Sequence, residues 1–91
     1  MQIEIIAAEM NHSRESGYVG YVAFKVEGHS QPYALHLRSK NTRDWDYSLL
    51  FANESGKEEH ILQVEEVLDN EEDDTFDRLI EAAMGALPQE G

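Results

Sequence analysis

Glu58-Glu59-His60-Ile61-Leu62-Gln63-Val64-Glu65-Glu66-Val67-Leu68 is the stretch on which the fold turns. Two periods fit it. With side chains alternating as in a strand, Leu62, Val64 and Leu68 share a face that Glu66 interrupts. Wound as a helix, Ile61, Val64 and Leu68 form one stripe, into which Glu65 intrudes. The preceding Asn53-Glu54-Ser55-Gly56-Lys57 has the length of a hairpin loop, and Gly56 can take a positive φ there at little steric cost. β-branched Ile61, Val64 and Val67 favour an extended chain. The stretch therefore reads as a fifth strand.

Four strands are expected upstream. Residues 2–8 alternate, with Ile3, Ile5 and Ala7 on one face and Gln2, Glu4 and Ile6 on the other. Residues 10–16 are polar and read as a loop. Residues 18–27 carry the clearest signal: Tyr18, Val22, Phe24 and Val26 recur at spacing two, and Val19, Tyr21, Ala23, Lys25 and Glu27 fill the opposite face. Gly20 lies on the first face, where it lets a large side chain or another backbone approach closely. Gly28-His29-Ser30-Gln31-Pro32 supplies a turn. In residues 33–39, Tyr33, Leu35 and Leu37 alternate with Ala34, His36 and Arg38; in 45–52, Trp45, Tyr47, Leu49 and Phe51 share a face.

Downstream, Phe76, Leu79, Ile80, Ala83 and Leu87 keep helical spacing, Asp73 or Asp74 can cap the helix, and Pro88 stops it. The predicted fold is α+β: an antiparallel meander of about five strands with a C-terminal helix on one face, in one domain spanning residues 1–91. A helix about 10 Å across covers only part of a five-strand sheet, roughly 24 Å wide at about 4.8 Å per strand. The remainder of the pleated surface is left for something else.

Charge narrows the functional classes. Seven Lys and Arg face nineteen Asp and Glu, a net charge of −12. Residues 1–46 are nearly balanced at −1, and residues 47–91 carry −11. Nucleic-acid affinity comes largely from cations neutralising phosphates, so direct binding is not expected. The one basic and aromatic grouping, Arg38, Lys40 and Arg43 near Trp45, is small against such a field. An anionic membrane surface is disfavoured likewise. The apolar runs are far too short for a membrane span of about 20 residues. A secretory signal is not expected, because the N-terminus lacks a basic flank and Glu4 interrupts its apolar stretch. With no cysteine in the chain, the expected setting is the cytoplasm.

Chemistry-bearing patterns are sparse. His12, His29, His36 and His60 fall in four different elements and supply no convergent ligand set for zinc. Only His36, mid-strand beside Arg38, has a structured setting; His12 and His29 read as solvated. Asp69, Glu71 and Asp73 follow the first positions of a calcium loop, but Asp74 stands where its glycine belongs and Ile80 where its bidentate glutamate belongs. Gly56-Lys57 lacks the rest of a phosphate loop. No nucleophile motif is present. Trp45, Tyr47 and Phe76 read as core rather than as a cofactor pocket.

No catalytic, metal-binding or cofactor-binding residues are therefore assigned, and the chain is not expected to be an enzyme. What remains is surface. The second strand face mixes apolar residues and a tyrosine with a few charges, the composition of a protein interface. Val19, Tyr21, His36 and Arg38 are its candidate partner-binding residues, for another protein or a second copy, through the face or a strand edge. The alternative is an acidic nucleic-acid mimic that occupies a basic protein's binding surface.

Overall fold

The alternation in β2 (Gly17–Val26) sets the layering: Val22, Phe24 and Val26 are buried, and the residues between them look the other way. The computed structural model describes residues 1–88. It has β1 (Ile3–Ser13), β2, β3 (Tyr33–Ser39), β4 (Asp46–Phe51), α1 (Glu58–Asp69) and α2 (Thr75–Gly85). The four strands form one antiparallel sheet in the order β1-β2-β3-β4. Both helices lie on one face, α1 against β4 and α2 against β1 and β2. Among the described residues no helix is long and apolar enough to cross a membrane.

The expected fifth strand is a helix. Leu62 separates the two readings: a strand would bury it with Val64, yet it is 50% exposed, while Val64 and Leu68 are buried and Ile61 is half-buried. The chain follows the helical stripe. Glu58 and Glu59 sit in its first turn, where the helix dipole favours acidic groups. Gly56 makes no hairpin: α1 follows it, and among the described glycines positive φ occurs at Gly17 and Gly28 and not at Gly56. A Cβ at Gly56 would come within 2.9 Å of the Phe51 ring and 3.1 Å of Gln31. The glycine lets the connection from β4 cross closely over the sheet.

β1 is also longer than expected and changes face midway. Ile5 pairs with Phe24 and Ala7 with Ala23, so Ile6 is the extra residue of a β-bulge. Beyond it Ala8 and Met10 turn toward the core and Ala7 and Glu9 away, the reverse of a regular alternation. Pairing continues through His12 and Ser13, which confines the loop to residues 14–16. Gly17, at φ +73°, closes that loop.

The core fills the space between sheet and helices: Met10, Val22, Phe24, Tyr33, Leu35 and Leu37 from the strands meet Val64, Leu68, Leu79 and Ala83 from the helices. Each large side chain buried this way contributes about 1.5–3 kcal/mol. In α2 the stripe matches expectation, with Leu79 and Ala83 buried and Phe76 and Ile80 half-buried; the helix ends at Gly85, before the expected stop at Pro88, and Leu87 packs half-buried just beyond it. The Asp73 carboxylate accepts the Thr75 amide at 2.8 Å, tying the acidic turn to the start of α2. Two helices, not one, cover this side of the sheet, and Ile5 near the start of β1 is the large apolar side chain there that stays exposed. The uncovered surface is the opposite face.

Candidate interaction surface

The face turned away from the helices is built in rows by strand register. Ala7, Ala23, Ala34 and Leu50 align across the sheet; beside them run Glu9, Tyr21, His36 and Ser48, and then Asn11, Val19, Arg38 and Asp46. All four residues singled out in the sequence lie here, as two adjacent cross-strand pairs, Val19 with Arg38 and Tyr21 with His36. The Tyr21 and His36 rings are 5.3 Å apart at 52°, a favourable tilted contact. Val19 is 39% exposed and Leu50 53% exposed, while Ala23 and Ala34 sit low between taller neighbours. Val19, His36, Arg38, Asp46, Ser48 and Leu50 line an open concavity of about 490 Å³.

Electrostatically this face differs from the rest of the molecule. It carries Lys25 and Arg38 against Glu4, Glu9 and Asp46, close to neutrality. On the other side, residues 58–81 hold eleven carboxylates against Arg78 alone. Among the described residues the one ion pair is Arg78 with Asp74, at 4.0 Å on the surface. Arg38 faces Asp46 in register without pairing with it, which leaves a guanidinium available to a partner.

The contribution of β1 was not legible in advance. Ala7, Glu9 and Asn11 reach this face only because the bulge at Ile6 reverses the alternation. The basic grouping is split: Arg38 belongs to the sheet, and Lys40 and Arg43 belong to the β3–β4 loop. In that loop the Asn41 side-chain oxygen accepts the Arg43 and Asp44 amides, and Thr42 takes φ +63°.

Of the other histidines, His29 and His60 tie elements together, and His12 is exposed as expected. His29 is half-buried rather than solvated: its Nδ1 meets the Tyr33 hydroxyl at 2.7 Å and its Nε2 the Gln63 amide oxygen at 3.2 Å. Its ring stacks on His60 at 4.3 Å, fastening α1 to the β2–β3 turn. His12 lies in β1, its ring 4.4 Å from that of Tyr18. Tyr47 and Phe76 pack against the core with rings 5.4 Å apart, and the Tyr47 hydroxyl donates to Asp69 at 2.7 Å. Among the described residues no three His, Cys, Asp or Glu side chains gather where they could hold a metal ion. No family model, curated protein or solved structure matches this chain.

Proposed function

We propose that the chain is a small acidic, non-catalytic protein-interaction module of the cytoplasm, and that the open sheet face is its docking surface. One observation carries this reading: both helices cover one face, and the other presents exposed Val19 and Leu50 around the Tyr21–His36 pair. An apolar centre with an aromatic and an arginine is the composition that concentrates binding energy at interfaces. Affinity capture with the wild-type chain and with Tyr21→Glu tests it. The substitution, on the uncovered side, is expected to leave the circular dichroism spectrum and melting behaviour nearly unchanged and to abolish retention of the partner. Retention unaffected by the change would place the docking surface elsewhere.

The acidic helical layer supports a second reading, a decoy for a basic nucleic-acid-binding protein. Its eleven carboxylates run along α1, the turn and α2 rather than gathering at one corner. On this reading, binding to such a protein would weaken steeply with salt and would be competed by duplex DNA. It would also be insensitive to Tyr21→Glu.

A further inference from the structure

We infer that the occupant of the open sheet face is a second copy of this chain, docked face to face about a two-fold axis that runs along the strands between β2 and β3. The inference rests on the docking role of that face and adds the identity of the partner.

Charge decides between faces. At a net −12, two copies repel wherever their acidic layers approach. The open face is the nearly neutral side, and apposing two such faces holds the helices on the outside. With about 10 Å between packed sheets and a helical layer behind each, the two acidic layers stand roughly 30 Å apart, several times the screening length of about 8 Å in physiological salt. Edge-to-edge pairing would instead set the helical layers side by side. It would also have to use β1, whose ladder is broken by the bulge at Ile6, or the short β4.

Register selects the axis. An axis along the strands sets β2 over the partner copy's β3 and β1 over its β4. Tyr21 then lies over the other copy's His36, Val19 over the stem of its Arg38, and the alanine row over the alanine row. Glu9 meets the other copy's Ser48, so no like charges are opposed. The Arg38 guanidinium comes within reach of the other copy's Glu9, one strand across and one row along, roughly 8 Å in the plane of the sheet. An axis across the strands would bring Glu9 toward the other copy's Glu9 and Asp46 onto its Leu50. The rotation of roughly 30° between packed sheets displaces the edges more than the centre, where Tyr21 and His36 sit.

The area is modest. The four-stranded sheet over residues 19–25 spans roughly 19 Å by 24 Å, a flat footprint below the ~800 Å² of accessible surface per partner typical of stable complexes. The dimer is therefore a weak one, with Kd on the order of 10–100 μM.

Sedimentation equilibrium of the full chain from 1 μM to 1 mM in 150 mM salt tests this. A reversible monomer–dimer equilibrium is expected, weakened at least tenfold by Arg38→Glu and by Glu9→Arg separately, and restored toward wild type in the double variant. Asp77→Lys, on the helical side, should not weaken it. Circular dichroism verifies that each variant is folded. A chain still monomeric at 1 mM overturns the inference, as does a dimer indifferent to the Arg38 and Glu9 changes. A monomer whose capture of a different protein is lost in Tyr21→Glu would overturn the second copy alone and leave the docking role standing. A monomer with no Tyr21-dependent capture would remove both.

Discussion

Met10 lies directly over Gly20. The two are cross-strand partners, and a methyl group placed on Gly20 would come within 2.5 Å of the Met10 Cε and 3.0 Å of its Sδ. Met10 is 1% exposed, so its thioether fills the space that the missing Cβ leaves. Gly20→Ala is expected to cost about 1–3 kcal/mol, the usual penalty of overpacking. Met10→Ala should cost about 2–5 kcal/mol, as for other large-to-small core changes. Because the two share one space, the double variant should be more stable than the sum of the single effects allows. Urea denaturation of the four proteins measures the coupling; strict additivity would mean that the two side-chain positions do not compete.

Leu62 and Leu68 test the helical reading of α1 in solution. Leu68→Ala should destabilise by about 2–5 kcal/mol, because it empties a buried site. Leu62→Ala, at a half-exposed position, should stay within roughly 0.5 kcal/mol. Thermal melts of both variants give the comparison. A large loss at Leu62 would show that the opposite side of α1 is in fact covered.

Tyr47 links β4 to the end of α1 through its bond to Asp69. Burial, then the Asp69 bond and the charges of Asp69 and Glu65, push the Tyr47 phenol well above its ordinary value. A raised folded value means that the stabilisation is complete below the unfolded phenol's pKa of about 10 and is lost as pH climbs toward the folded one. Tyr47→Phe should cost about 1 kcal/mol near pH 8. The gap from wild type should narrow above pH 10, where wild type loses the Tyr47 stabilisation and the variant has none to lose; the raised Tyr33 phenol is common to both. Melting curves that stay parallel to pH 11 would contradict this.

Asp73 carries the opposite sign. Its side-chain and backbone hydrogen bonds with Thr75 hold the carboxyl below its ordinary value. Its contribution is therefore present above the unfolded carboxylate pKa of about 3.9 and disappears as pH falls through the folded value. Asp73→Ala should melt below wild type at pH 7, and the two should converge toward pH 3. The same separation at both pH values would mean that the carboxylate charge is not what stabilises the start of α2.

The alternating strands and the final helix are written locally. A strand repeats every two residues and a helix about every 3.6, and in β2, β3, β4 and α2 one period clearly prevails, so what β2, β3 and β4 contribute to the open face was legible before any fold was known. Val19, Tyr21, His36 and Arg38 fall on one face because two paired, regularly alternating strands carry them. Tertiary structure decided the rest. The bulge at Ile6 is a property of pairing with β2, and nothing in residues 2–8 announces that the alternation reverses. Residues 58–68 satisfy both periods, so local pattern could not choose; packing that leaves Leu62 exposed while Ile61 joins Val64 and Leu68 at the core, and the close passage at Gly56, did. That choice moved the uncovered surface to the far side of the sheet, because which face is bare depends on where the second helix packs, a relation between elements that no short window of sequence contains.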